Sequence, residues 1–229
     1  DPIEYAFKDR RSVINQREIG FDTTSFARAL RASLRQDPDV ILVGEMRDLE
    51  TTEIALTAAE TGHLVLSTLH TVDAVETINR IVSIYPPHQQ DQARLQLCSV
   101  IKGVVSQRLV PRADGMGMVP AVEILVSTAR VRELIADASR TREIHEAIAP
   151  GRDPYGMISF DQSLTELVKN RFVTYEEALA ASTNPDDFAL FFRGVSKGGQ
   201  VGQDFNAVVG QSGTGTVPPG LKVDRFTKE

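Results

Sequence analysis

Cysteine is almost absent from this chain of 229 residues, which contains one, Cys98. A single cysteine can form neither an internal disulfide nor a metal cluster, so the composition fits a reducing compartment such as the cytoplasm. The neighbours of Cys98 between Leu95 and Ile101 are largely apolar, and this setting predicts a small buried hydrophobic residue. His88 and His145 show no ligand spacing, so the sequence offers no zinc site.

Long apolar runs and an excess of positive charge are lacking as well. No stretch approaches the ~18–20 apolar residues of a membrane span, and no signal peptide opens the chain. We therefore expect a protein that does not cross the bilayer, although it can dock on a membrane complex. The net charge of −6 argues against binding nucleic acid through broad phosphate neutralisation.

Helical periodicity is clearest just after Phe21. Asp22, Thr23 and Thr24 are candidate N-caps, and Phe26, Leu30 and Leu34 then recur every four residues as a buried stripe. Pro38 ends this predicted helix, because proline cannot continue the backbone hydrogen bonding.

Two apolar runs in the following region predict strands. Asp39–Val43 suits a strand buried on both faces of a parallel sheet. His63–Leu69 is the second, and it follows a predicted helix at Leu49–Thr61 that Asp48 caps and Gly62 ends. Helices before, between and after these runs imply parallel strands joined by right-handed crossovers. The predicted fold class is α/β.

The remainder of the chain divides into three predicted parts. Val104–Val110 and Val119–Val126 are β-rich runs around a Gly-containing turn and predict a hairpin. From Thr128 onward the pattern is helical. We therefore predict a core at residues 1–127, a small helical domain at 128–194, and a flexible Gly- and Pro-containing tail at 195–229.

Acidic residues flank the first predicted strand. Glu45 and Asp48 follow it, at the carboxyl edge where open α/β sheets bind ligands. A carboxylate there can hold Mg²⁺ through water or polarise the water that attacks a γ-phosphate, and Glu45 is the candidate for the second role. Asp39, which opens the strand, is a further candidate for Mg²⁺ through water. The alternative is that Glu45 is a loop charge and Asp48 a helix cap.

A histidine follows the second predicted strand. His70 comes after Ser67, Thr68 and Leu69, on the same edge as Glu45 if the strands are parallel. It can hydrogen-bond a phosphate or orient a water, whereas an isolated histidine is otherwise a satisfied loop or core side chain. His63, at the start of the strand, belongs to the opposite edge.

Three arginines precede the acidic strand. Arg28, Arg31 and Arg35 fall within one arc of their helix, away from the apolar stripe. Such a row suits phosphate or the acidic surface of a neighbouring subunit, and equally a solvated charged face.

Together these segments resemble the secretion-type ATPases, and within them the PilT-type pilus-retraction motors. Residues 36–48 match the Walker B segment, residues 62–71 match the His box, and Asp1–Tyr5 resembles the latter part of the Asp box. The resemblance extends to about Gly194. It implies a partial RecA-like P-loop NTPase core with a mostly parallel sheet, followed by a small helical domain.

The resemblance also implies roles for individual residues. Glu45 is implied as the catalytic carboxylate, His70 as the nucleotide-sensing histidine and Glu4 as a further catalytic residue. Asp1, Arg31, Arg35 and Thr68 are implied nucleotide-binding residues. ATP and Mg²⁺ are the implied cofactors. The implied assembly is a homo-hexamer in the cytoplasm, at the periphery of the bacterial inner membrane, bound to the pilus platform protein.

Two matches favour the retraction branch of the family. Gly156–Leu164, followed by Val173–Ala178, resembles the family's C-terminal helical region. Thr128–Ile135 resembles the retraction motif, with Arg130, Glu133 and Ala136 in place of its Ala, Asn and Arg. Assembly and type II secretion relatives usually carry a four-cysteine metal insertion, which one cysteine cannot build. In the His box, Val72 stands where Asn is common.

The phosphate-binding pattern G-x-x-x-x-G-K-[ST] does not occur in the 229 residues. Gly210–Thr216 is Gly-rich but has no Lys and follows no buried strand. We therefore expect a fragment of a larger motor that is inactive alone. The alternatives are a non-hydrolysing assembly module of a pilus or type II secretion system, and the related assembly ATPase.

Overall fold

The computed structural model describes residues 3–193, which form an α/β arrangement. The predicted tail at 195–229 and Asp1 lie outside the described residues. The strands are β1 (Val40–Val43), β2 (Leu64–Ser67), β3 (Gly103–Pro111) and β4 (Met118–Val126). The α-helices are α1 (Phe26–Ser33), α2 (Leu49–Glu60), α3 (Ala74–Ser83), α4 (Gln90–Val100), α5 (Ala129–Ala136), α6 (Ile144–Ile148), α7 (Arg152–Tyr155), α8 (Phe160–Lys169), α9 (Tyr175–Ala181) and α10 (Pro185–Phe192). Short 3₁₀ turns include Leu34–Gln36 and Thr141–Glu143.

Helix α1 has the predicted apolar stripe but a different cap. Leu30 is buried, and Phe26 and Leu34 pack beside it. Ser25 is the N-cap, since its Oγ accepts the Arg28 N–H at 3.2 Å. The prediction of a cap at Asp22–Thr24 is therefore wrong by one residue; Asp22 instead accepts the N–H of Glu18.

Helix α2 begins at Leu49 as the sequence predicts and ends at Glu60, one residue before the predicted Thr61. Asp48 caps it by accepting the Thr51 N–H at 2.8 Å. At its other end Gly62 takes a positive φ of 102°, and the His63 N–H donates to the Ala58 carbonyl. This is the hydrogen bonding of a Schellman cap, which leads the chain directly into β2.

Strands β1 and β2 form a parallel pair, as expected for a helix crossover between them. Val40 pairs with Leu64, and the register continues to Val43 beside Ser67. Both strands are shorter than the predicted runs at Asp39–Val43 and His63–Leu69.

The prediction that β1 is buried on both faces is wrong for the part of the chain that the structure describes. Ile41 and Val43 face α1 and α2 and are buried. Val40 and Leu42 alternate with them and are exposed, as are Leu64 and Leu66 on β2. One face of the sheet is therefore covered by helices, and these four apolar side chains remain on the other face, which we call the open face.

The described residues fall into two compact units. One comprises residues up to Val104 together with Leu125–Ala147; the other comprises Val105–Ile124 together with the described residues from Ile148 onward. This division differs from the predicted boundary at 127/128. The hairpin of β3 and β4 groups with the later helices, because Ile124 bridges to Ile158 and the Val122 N–H donates to Ser163.

The second unit has its own apolar core. Its buried residues come from the hairpin and from helices α8 to α10: Val110, Ala121, Phe160, Leu164, Val168, Val173, Ala178 and Phe188. Ser159 and Gln162 form a complete capping box at the start of α8, which the spacing S-x-x-Q in the sequence predicts.

Cys98 departs from the expectation of a buried residue. Cys98 is half-buried rather than buried, and its Sγ donates to the Leu95 carbonyl; on α4 it lies beside the exposed Leu95, not inside the core. Among residues 3–193, no helix is long and apolar enough to cross a membrane.

Phe188 provides a test of the second core. Its side chain is fully buried and lies 6.2 Å, centroid to centroid, from the Tyr175 ring. Phe188→Ala should lower the free energy of unfolding by about 3–5 kcal/mol, because it removes an aromatic ring and leaves a cavity. Urea unfolding followed by circular dichroism measures this. The control is Phe191→Ala, since Phe191 is 40% exposed; equal losses for both variants would contradict the assignment of Phe188 to the core.

Candidate functional site

The candidate site is formed by the loops that follow β1 and β2. Glu45 lies two residues after the end of β1, and His70 lies three residues after the end of β2. Because the two strands are parallel, both loops leave the sheet at its carboxyl edge.

Glu45 and His70 lie side by side at this edge. The distance between Glu45 Oε1 and His70 Nε2 is 3.6 Å. The Glu45 side chain is only 11% exposed, whereas that of His70 is 82% exposed. The carboxylate is therefore held close to the protein surface, and the imidazole projects into solvent beside it.

Arg47 forms the closest ion pair of the site. Its Nη2 lies 2.5 Å from Glu45 Oε2. The hydrogen bond from this guanidinium lowers the pKa of Glu45 below its ordinary value; partial burial opposes that shift, and the charges of Arg47 and His70 add to it. Glu45 is thus ionised at neutral pH, with one oxygen bound to Arg47 and the other facing His70.

Hydrogen bonds of Asp48 and of Thr68 hold the Glu45 loop in place. Asp48 accepts both the N–H and the hydroxyl of Thr51 at 2.8 Å, so the helix-cap interpretation of Asp48 is confirmed. In the loop after β2, Thr68 Oγ1 donates to the Gly44 carbonyl at 2.5 Å. The predicted nucleotide-binding residue Thr68 therefore joins the two loops through its hydroxyl.

The arginines of the α1 region lie apart from these contacts. Arg31 pairs with Glu50 of α2 at 2.5 Å, and both side chains are more than half exposed. Arg35 is exposed and makes no ion pair within residues 3–193. The structure does not bring either arginine into hydrogen-bond contact with Glu45 or His70, and their nucleotide-binding roles stay predictions.

Asp39, the further candidate for Mg²⁺ through water, does not lie beside Glu45. It directly precedes β1, so it lies at the amino end of the strand, and Glu45 lies beyond the carboxyl end. Four strand residues at about 3.3 Å each separate the two ends, which speaks against a shared ion. Glu4 is exposed and makes no hydrogen bond or ion pair within residues 3–193; Asp1 lies outside the described residues.

A protein-only metal centre is not present in residues 3–193, where no group of three or more His, Cys, Asp or Glu side chains could hold an ion. Mg²⁺ in phosphate-binding sites commonly uses one or two carboxylates together with waters and substrate phosphates. The described edge fits that pattern with one ionised carboxylate, Glu45.

Sequence reasoning did not assign a role to Arg47. It stands two residues after Glu45 in a loop, where no helical or strand period predicts which side chains meet. The charge pair Glu45 and Arg47 was visible in the sequence, but its geometry depends on the turn into α2 that the Asp48 cap sets.

The arrangement can accept a proton from a water molecule. Oε2 of Glu45 is anchored by Arg47, whereas the 3.6 Å separation from His70 is longer than a hydrogen bond and leaves Oε1 able to accept one. An ionised, oriented carboxylate beside a solvent-exposed imidazole is suited to polarising water next to an anionic ligand.

The chain belongs to the family of type II/IV secretion system proteins, whose model matches residues 1–194. It is 44% identical over 190 residues to a twitching motility protein of Neisseria gonorrhoeae, which covers 83% of this chain and 50% of that protein. It is 43% identical over 188 residues to the type IV pilus retraction ATPase PilT of Pseudomonas aeruginosa, with coverage of 82% and 54%.

A solved structure has the same fold. The crystal structure of the pilus retraction motor PilT with bound ADP superposes with a TM-score of 0.72 and 50% sequence identity, over 82% of this chain and 52% of that one. The expected secretion-ATPase α/β fold and the resemblance to the PilT branch are confirmed. The chain spans about half the length of these relatives.

Removing Arg47 should change the titration of Glu45. Arg47→Gln should raise the pKa of the Glu45 carboxyl towards its ordinary value, because the principal hydrogen bond to the ionised form is lost. The side-chain carboxyl ¹³C shift followed against pH measures this. A depressed pKa also means that this pair stabilises the fold above about pH 4.5 and that its contribution disappears as pH falls through the folded-state pKa.

The matched control for this titration is Arg31→Gln, which removes an arginine of similar exposure that pairs with Glu50 instead. It should leave the Glu45 pKa unchanged. An identical Glu45 titration in wild type and Arg47→Gln would rule out the Arg47 contact in solution.

Proposed function

We propose that this chain carries the catalytic edge of an ATP-driven motor for type IV pilus retraction and twitching motility. The observation that carries the proposal is the adjacency of Glu45 and His70 at the carboxyl edge of a parallel strand pair. The similarity to proteins named for twitching motility and pilus retraction supports the choice of motor.

Glu45 acts as the carboxylate that polarises the attacking water. Its lowered pKa keeps it ionised, and Arg47 fixes Oε2 so that Oε1 points to the space beside His70. A positioned base needs to lie within hydrogen-bond reach of the proton it accepts, and a water between Oε1 and a γ-phosphate satisfies that requirement. Mg²⁺, when bound with the nucleotide, supplies charge neutralisation for the phosphates.

His70 reports the presence of the γ-phosphate. Its imidazole is exposed to solvent, next to the nearly buried carboxylate of Glu45. A hydrogen bond to an anionic phosphate oxygen is charge-assisted and therefore stronger than a neutral one. Loss of the γ-phosphate on hydrolysis removes this bond and changes the position of the loop that carries His70.

The assembly and location belong to the same proposal. We propose a homo-hexamer in which Arg31 and Arg35 face the nucleotide of a neighbouring subunit, as the family resemblance implies. The exposed Arg31–Glu50 pair is compatible with this, because exposed ion pairs contribute only about 0–1 kcal/mol and exchange readily. The proposed location is the cytoplasmic face of the inner membrane, on the pilus platform protein.

Glu45→Gln in the complete protein tests the catalytic assignment. We expect kcat for ATP hydrolysis to fall by roughly 10²–10⁴-fold, because the amide cannot accept a proton from water, while nucleotide affinity is retained. Phosphate release and titration with a fluorescent ATP analogue measure the two quantities. Glu53→Gln is the control, since Glu53 is an exposed carboxylate on α2, whereas Glu50 is paired with Arg31.

The outcomes of this test separate the candidate functions. Unimpaired turnover in Glu45→Gln would remove Glu45 from its role. A complete wild-type protein that neither binds nor hydrolyses ATP would instead favour the non-hydrolysing assembly module.

His70→Ala tests nucleotide sensing. We expect the preference for ATP over ADP to fall by about 10-fold or more, since a hydrogen bond to a charged group contributes about 1.5–3 kcal/mol. Equilibrium titration of the complete protein with both nucleotides measures the ratio. His63→Ala is the control, because His63 contacts the Ala58 carbonyl at the opposite end of β2; equal effects of the two changes would argue against a sensing role.

A further inference from the structure

Helix α3 begins directly after the loop that carries His70 and is bonded to that loop. Thr71 Oγ1 lies 2.7 Å from Thr77 Oγ1. The Val72 N–H donates to Glu76 Oε2 at 2.9 Å. Both partners lie within the first turns of α3, so a displacement of the His70 loop displaces the amino end of the helix with it.

Arg94 of α4 is a buried cation in contact with the same helix. It is 9% exposed, and its Nη2 donates to Asn79 Oδ1 of α3 at 3.3 Å. Its Nη1 donates to the Ile135 carbonyl of α5 at 3.3 Å and to Thr141 Oγ1 at 3.1 Å. One guanidinium therefore joins α3, the last turn of α5 and the 3₁₀ turn that follows it.

The chemistry of these bonds explains why an arginine stands here. Carbonyls in the last turn of a helix lack partners within that helix, and the Ile135 carbonyl is one of these. A guanidinium presents its donors in a fixed planar fork, so it can hold several acceptors at set distances from one another. The three acceptors are neutral. Hydrogen bonds from Ser139 lower the pKa of the nearby Asp137 carboxyl, and the charge of Arg94 also helps to lower it. A buried charge costs free energy unless it is hydrogen-bonded, so Arg94 depends on these three bonds. Its main effect is to define the spacing of the elements it bonds.

A second contact joins the same two regions near the His70 loop. His145 Nε2 of α6 lies 3.9 Å from Asp73 Oδ2, and Asp73 is the N-cap of α3. The segment from α5 to α6 thus approaches α3 at two places, and of these the contact through Arg94 is the hydrogen-bonded one.

We propose that Arg94 is a positioning residue that transmits the nucleotide state of the His70 loop, through α3, to helix α5. The inference rests on the proposed function, because it requires that nucleotide binding moves the His70 loop. Arg94 touches neither of the site residues Glu45 and His70 and acts by keeping α5 in register with α3. Helix α5 is the element at the far end of these bonds, so its position is the output of the relay.

The test is hydrogen exchange of the complete protein with and without the non-hydrolysable analogue adenylyl imidodiphosphate. In wild type the analogue should slow amide exchange both at residues 71–77 and at residues 131–136. In Arg94→Met the slowing at 71–77 should persist. At 131–136 the ratio of the exchange rate without the analogue to the rate with it should fall by roughly 2- to 30-fold, which is the size usual for residues that modulate coupling. Arg94→Lys, which keeps the charge without the fork, should also reduce it.

A purely structural role makes a different prediction. Leu97→Ala is the matched control, because Leu97 lies on the same helix and is 3% exposed, so its truncation destabilises the core without touching the bonds of Arg94. It should lower thermal stability and keep the response at 131–136. Asn79→Ala removes the bond between Arg94 and α3 alone. It should reduce the response at 131–136 as Arg94→Met does, and it replaces that variant in the test if Arg94→Met does not fold.

The outcomes distinguish the relay from the proposed function. A full response at 131–136 in the Arg94 and Asn79 variants would overturn the relay, as would a wild type that responds at 71–77 only. A wild type that shows no response at 71–77, or does not bind the analogue, would overturn the proposed function and the relay with it.

Discussion

The parallel pairing of β1 with β2 is the constraint on which the rest of the candidate site depends. Parallel strands end at the same edge, and the register that places Val43 beside Ser67 brings the two following loops together. Glu45 and His70 are twenty-five positions apart in the chain, and this pairing is what brings them close together. The crossover helix α2 makes this pairing possible, and its Asp48 cap and Gly62 terminus determine where the chain leaves one strand and enters the next.

Within that frame, three neutral or charged contacts refine the position of one carboxylate. Thr68 bonds the Gly44 backbone, Asp48 turns the chain into α2, and Arg47 holds one oxygen of Glu45. The result is an ionised group that is nearly buried, with one oxygen bound to Arg47 and the other facing His70. Its environment is thus polar enough to keep the charge and restrictive enough to orient it, which is the combination that proton transfer from water requires.

The sheet is covered on one face in the described part of the chain. Ile41 and Val43 pack against α1 and α2, while Val40, Leu42, Leu64 and Leu66 form the open face. Strands of parallel sheets in α/β proteins are usually covered on both faces, and their sequences are then continuously apolar. The sequence of β1, Val-Ile-Leu-Val, is of that kind. Within residues 3–193 the open face stays exposed; the chain spans about half the length of its relatives.

The amino-acid pattern was enough to establish the α/β class, the helix caps at Asp48 and Ser159, the β3–β4 hairpin and the edge on which Glu45 and His70 stand, because these follow from periodicity, local hydrogen bonding and strand direction. Other features depend on side chains that are distant in the chain or lie in irregular loops. The pairing of Arg47 with Glu45, the pairing of Arg31 with Glu50, the bonds of Arg94 to three elements and the half-exposed position of Cys98 are of this kind. No local period encodes them, since each results from how packed helices and strands bring separate segments into contact.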